Sequence, residues 1–172
     1  MRALMITADL FEDSELKIPY EALKEFGVEV DIASLKKGTI VGKHGFRIDA
    51  TLSLKEVDPN QYQILVLPGG KAPAALRKEP KALEIAQSFF DQNKLVAAIC
   101  HGPQILISAG LMDGRVATGY QSIADELKEA GVIYKDREVV IDKNLITSRQ
   151  PSDLTAFMEA IEHYIEHEIT EE

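Results

Sequence analysis

The sequence predicts a three-layer α/β sandwich: a mostly parallel sheet with helices on both faces. Apolar runs of strand length alternate with longer segments of helical period. Several of those runs are apolar throughout, as strands buried on both faces are. Gly and Pro punctuate the boundaries between them.

In chain order, "ALMIT" (3–7) reads as a buried strand. "DSELKIPYEALKEFG" (13–27) then places Leu16, Pro19, Tyr20, Leu23 and Phe26 on one helical face, with Gly27 as the stop signal and Asp13 and Ser14 as the helix caps. "VEVDIAS" (28–34) is a second strand. The Gly-rich, β-branched stretch 38–57 reads as short antiparallel strands or a hairpin attached to the main sheet, turning near "GKHG". "ILVLPGG" (64–70) is an apolar strand broken by Pro-Gly-Gly, followed by a helix over 80–92. "LVAAIC" (95–100) is a strand and "GPQILISAG" (102–110) a short helix. A helix within 121–130, a hairpin-like pair "REVVID" and "LITS", and a final helix over 152–167 complete the chain. No repeat or linker divides it, so one domain over residues 1–172 is expected.

Composition narrows the partners. A net charge of −9 disfavours nucleic acid and anionic membranes, which would repel the chain. No apolar run approaches the ~20 residues of a membrane span. The N-terminal stretch turns acidic too early for a signal peptide. A single cysteine fits a reducing cytoplasm, the expected location.

That cysteine, Cys100, lies between an apolar strand and a helix, before His101, Gly102 and Pro103. Gly102 permits a tight turn and Pro103 suits the first helical position. Unpaired N–H groups at a helix start favour an anion, so a thiol there is expected to have a lowered pKa. The amide after a nucleophile is placed to bind an oxyanion, which would be the N–H of His101; Gly70 of the Pro-Gly-Gly turn is a second donor. The same residues also read as an inert core thiol, because free Cys is among the most buried residue types. Loops after the first, middle and fourth strands share the carboxyl end of the sheet, where ligands of such folds bind.

Of the four histidines, His163 and His167 lie four apart on the acidic terminal helix and read as a solvated face rather than a metal site. His44 serves its turn. His101 is left as the general base, although neighbours at an elbow usually point apart. Glu12 precedes the helix without a clear structural task. Buried and protonated, it would donate a hydrogen bond to a thiolate.

The blocks "ICHGPQILISAG" (99–110), "FEDSEL" (11–16), "GKHG" (42–45), "VLPGG" (66–70) and "SRQPSDL" (148–154) closely resemble the PfpI family of intracellular protease I-like proteins, within the ThiJ/PfpI superfamily. The resemblance covers essentially the whole chain. It implies a flavodoxin-like sandwich, Cys100 as nucleophile with catalytic His101, and Glu12 as the buried acid bonded to the thiol. It further implies oxyanion amides from Gly70 and His101, Tyr120 near the site, no metal or organic cofactor, and a homo-oligomer (a dimer or a trimer of dimers). The activities it implies are peptide hydrolysis, removal of early glycation adducts and hydration of methylglyoxal to lactate. One departure bears on the choice: where protease-type relatives carry an acid that completes a Cys-His-Glu triad across an interface, this chain has Ala74. The expectation is therefore a cysteine-dependent hydrolase or lyase acting on small carbonyl or glycated substrates. An oligomeric cysteine peptidase and a redox-sensing or chaperone-like stress protein are the alternatives. A glutamine amidotransferase is disfavoured, because the late histidines sit on the terminal helix.

Overall fold

A computed structural model describes residues 1–169; the last three residues of the expected domain lie outside the described residues. The elements alternate along the chain as β1 (Arg2–Ile6), α1 (Asp13–Glu25), β2 (Glu29–Ser34), β3 (Gly38–Val41), β4 (Arg47–Ala50), β5 (Leu52–Ser53), β6 (Ile64–Leu67), α2 (Ala72–Leu76) and α3 (Pro80–Asp91). They continue as β7 (Leu95–Ile99), α4 (Pro103–Ser108), β8 (Val116–Ala117), α5 (Ala124–Glu129), β9 (Ile133–Tyr134), β10 (Val140–Asp142), β11 (Leu145–Ser148) and α6 (Leu154–Tyr164), which ends in a wider helical turn, Ile165–Ile169.

Seven strands form the main sheet in the order β10-β11-β7-β6-β1-β2-β5. All its pairings are parallel except β10 with β11. This is the flavodoxin-like α/β fold. From β1 the chain steps to β2 in one direction, and from β6 to β7 in the other. Right-handed crossovers therefore place the connecting helices α1 and α3 on opposite faces. α6 packs beside α1, and α4 beside α3. The reversal between β1 and β6 opens a crevice at their carboxyl ends.

Burial explains why the central strands read as unbroken apolar runs. Every residue of β6 and β7 is fully buried, as are Ala3 to Met5 of β1. Each large apolar side chain so covered contributes about 1.5–3 kcal/mol. α1 buries Leu16, Pro19 and Leu23 as its periodicity predicts, with Tyr20 and Phe26 partly covered. It also buries Glu15, which no apolar pattern would place there. No helix among the described residues is long and apolar enough to cross a membrane.

Two local expectations need correction, and one small element is new. The hairpin β3–β4 is a separate two-stranded sheet, and the chain joins the main sheet through the short β5. A second small sheet, β8–β9, was not foreseen, because two-residue strands carry no readable period. Asp13 does not cap α1. Its carboxylate accepts the N–H groups of His44 (3.0 Å) and Phe46 (2.8 Å), clamping the hairpin turn to the helix start.

Gly102 shows how tightly the cysteine turn is packed. A Cβ there would lie 2.3 Å from Leu67 O and 3.0 Å from Ile99 O, both backbone atoms that cannot swing aside. Gly102→Ala is expected to lower unfolding stability by about 2–3 kcal/mol, read from the shift in urea midpoint at unchanged slope.

Candidate active site

The crevice is closed by backbone contacts among the three loops. Phe11 and Gly70 form an isolated antiparallel bridge, Glu12 N–H donates to Gly69 O (3.2 Å), and Lys71 N–H donates to Leu10 O (2.9 Å). Gly70 has φ +84°, and a Cβ there would lie 2.4 Å from Glu12 N. Only glycine fits both the left-handed backbone and that approach. From the other side, Cys100 N–H donates to Ser148 O (3.0 Å) and Tyr120 N–H donates to Cys100 O (2.9 Å). Arg149 forms a two-pronged pair with Asp153 (2.9 and 3.0 Å), fixing the loop that carries Gln150, Pro151 and Ser152.

Cys100 directly follows β7 in the left-handed region, φ +64°, a conformation costing about 1–3 kcal/mol for a non-glycine residue. The turn brings the side chain to the crevice, where it is only 7% exposed. The backbone N–H groups of Gly70 and His101 both point at its Sγ. These are the two amides named from the sequence. The thiol's pKa differs from expectation. Burial, reinforced by the charge of Glu15, pushes it up to about 12, and the two N–H groups only partly offset this. A lowered pKa was expected from the helix start, but desolvation outweighs the amides.

The acid against the thiol is Glu15, not Glu12. Glu15 is fully buried on the sheet-facing side of α1, its Oε1 accepts Gly69 N–H at 2.8 Å, and its carboxyl lies against the Cys100 thiol. The same point beside Gly69, where a Cβ would sit, is 2.6 Å from Glu15 Oε1 and 3.1 Å from Cys100 Sγ. Burial raises this carboxyl to about 8, and Oε2 is buried with no conventional hydrogen-bond partner. Protonation removes the cost of burying an unsolvated charge at that position. Glu12 sits at the residue before α1 with extended backbone. It lines the crevice, and its Oε2 lies 3.0 Å from His44 Nε2, off the line of a hydrogen bond. One turn separates the two acids, and only the inner one faces the core. The signal that could have found it was a Glu interrupting the buried face next to Leu16.

His101 does reach its neighbour: Nδ1 lies 3.3 Å from Cys100 Sγ. The ring stacks at 5.0 Å on Tyr120, which is 38% exposed, and Nε2 lies 3.3 Å from Ser122 Oγ. Burial, joined by the charge of Lys43, holds the imidazole below its ordinary pKa, against a weaker opposite pull from Glu126. Glu126 itself is engaged by Arg77 and by Gln104 Nε2 (2.9 Å). A neutral ring with one nitrogen on the thiol and the other on a hydroxyl can take up the thiol proton.

Glu12, Gly70, Cys100, His101 and Tyr120 line a cavity of about 940 Å³, with Ala74 in its wall and Lys43, Lys71, Gln104 and Gln150 at its sides. His163 and His167 stack on each other at 4.2 Å on the terminal helix. Among the described residues no group of three or more His, Cys, Asp or Glu side chains is placed to hold a metal ion.

Comparison with known proteins gives a consistent picture. The model of the DJ-1/PfpI family matches residues 1–163. A deglycase of Pyrococcus abyssi is 52% identical over 158 residues, covering 92% of this chain and 95% of that protein. Deglycase PfpI of Pyrococcus furiosus matches to the same extent. Among solved structures, a two-domain protein from Anabaena variabilis with DJ-1/ThiJ/PfpI-like and ferritin-like domains superposes with a TM-score of 0.94 at 36% identity, over 96% of this chain and 48% of that one.

The raised Glu15 pKa carries a stability consequence. Its carboxyl titrates near 4.5 when unfolded and about 8 when folded, so across that window folding must take up a proton and stability falls as pH rises. Glu15→Gln mimics the protonated acid and removes this dependence. The variant's stability relative to the parent is expected to grow by about 4 kcal/mol between pH 4.5 and 8, measured from guanidinium midpoints at each pH. A pH-independent offset would contradict a protonated Glu15.

Proposed function

The chain belongs to the DJ-1/PfpI family, and from that membership and the site's geometry we propose that it is a cysteine-dependent deglycase, acting on early carbonyl adducts and on methylglyoxal itself. The observation that carries the reading is the surround of Cys100 Sγ: two backbone N–H groups, His101 Nδ1 at 3.3 Å and the buried carboxyl of Glu15. The deglycases of Pyrococcus support the substrate class.

In this reading His101 takes the thiol proton as Sγ adds to the aldehyde-level carbon of the substrate. The oxygen that becomes negative is received by the N–H groups of Gly70 and His101, already oriented and held away from water. For methylglyoxal, moving a proton from the former aldehyde carbon to the adjacent carbon converts the hemithioacetal to a lactoyl thioester. One carbon is oxidised as its neighbour is reduced, so no external oxidant enters. Water then releases lactate and restores the thiol. Glu15, protonated at neutral pH, donates to the thiolate whenever it forms. The role first assigned to Glu12 passes to Glu15, and Glu12 belongs to the cavity mouth.

Ser122 holds the outer nitrogen of His101, where Ala74 offers no acid. A hydroxyl orients the ring as donor or acceptor but adds no charge to stabilise a standing imidazolium. This favours addition to electrophilic carbonyls over amide cleavage, and so deglycation over peptidase action. Family membership supports a homo-oligomer, and the single cysteine suits a reducing cytoplasm.

Cys100→Ala is expected to lower kcat/KM for methylglyoxal consumption at least about a hundredfold, with folding intact; unchanged lactate production would remove the proposal. The pH profile of kcat/KM is expected to rise below the ordinary histidine pKa of 6.5, because His101 is shifted down. It falls as pH passes about 8, where Glu15 loses its proton. Glu15→Gln is expected to erase the alkaline limb while keeping the acid one.

A further inference from the structure

The charge of the cavity runs against that of the chain. The protein carries 28 acidic and 19 basic residues and a net charge of −9, yet Lys43 and Lys71 both line the cavity that holds Cys100. Neither forms an ion pair with a carboxylate among the described residues.

Both are placed by backbone bonds to the loop after β1. Lys43 N–H donates to Phe11 O (2.9 Å) from the hairpin turn, and Lys71 N–H donates to Leu10 O (2.9 Å) from the Gly-Gly turn. The two side chains therefore enter the cavity lip from different loops that are locked together. The field of Lys43 also reaches the reacting groups, disfavouring the protonated forms of both Glu15 and His101. Glu15 is neutralised by burial, which leaves Glu12, beside His44, as the acid on the cavity wall. Two ammonium groups against one carboxylate leave room for one further negative charge, which matches a carboxylate better than a phosphate dianion.

We infer that the cavity selects carbonyl adducts whose carrier has a free carboxylate close to the modified atom, as in modified free amino acids and small thiol acids, and that Lys43 and Lys71 supply this selectivity. The inference names the substrate class of the deglycase reading and rests on it. Substrates of this class bring a charge that the two lysines attract, whereas an internal residue of a folded protein brings a neutral amide at the same place.

Binding of stable, non-exchanging analogues tests this separately from turnover. S-acetonyl-N-acetylcysteine and its carboxamide differ only in the charge, and both can be titrated calorimetrically into Cys100→Ala protein. The acid is expected to bind about tenfold more tightly at low salt, with the preference shrinking as salt rises. Adding Lys43→Met and Lys71→Met is expected to abolish the preference while leaving the carboxamide's affinity unchanged, which also reports an intact cavity. Equal affinities in the parent, binding of neither analogue, or a preference that survives both lysine changes would overturn the inference. Loss of Cys100-dependent turnover is a distinct result, and bears on the deglycase reading alone.

Discussion

The site depends on one buried contact, the Glu15 carboxyl against the Cys100 thiol beneath Gly69. Both groups are desolvated, and each resists ionisation: burial raises the acid to about 8 and the thiol further still. Two negative charges there would repel each other without water to screen them. A protonated carboxyl resolves the conflict. With the carboxyl protonated, the thiol no longer faces a charge, and the thiolate that forms meets a donor in place of an anion. In the proposed mechanism the rest of the site adds to this arrangement: two amides for the developing charge, and an imidazole to move the proton.

That contact needs the topology. Glu15 comes from α1, Gly69 and Gly70 from the turn after β6, and Cys100 from the end of β7. Parallel strands bring these segments to the same edge of the sheet, and the change of direction at β1 and β6 leaves space between them. The strained backbone of Cys100 is held by bonds from both sides, through Ser148 O and Tyr120 N–H. A tenser turn is tolerated because the strands on either side are fully buried.

Much of this was legible in the sequence. Continuous apolar runs identified β1, β6 and β7, and the strand-to-helix position of Cys100 identified the elbow. The Gly-Gly turn pointed to an amide donor. What could not be read were features set by packing across long separations. Glu15 and Glu12 differ by less than one helical turn, and only the docking of α1 on the sheet decides which faces the thiol. Asp13 looked like a helix cap because its best partners, the amides of His44 and Phe46, lie about thirty residues away. The thiol's pKa was misread in sign because local amides are visible in sequence and burial is not. Ser122 was invisible for a similar reason: nothing local links it to His101.

The central claim is that Glu15 carries a proton at neutral pH in the folded protein. Infrared difference spectroscopy of the protein against Glu15→Gln reads this directly, through the carbonyl stretch of a protonated carboxylic acid. Such a band is expected at pH 6 to 7, lost as pH is raised through about 8 and absent from the variant. A carboxylate signal for Glu15 already at pH 6, with no acid band, would contradict it.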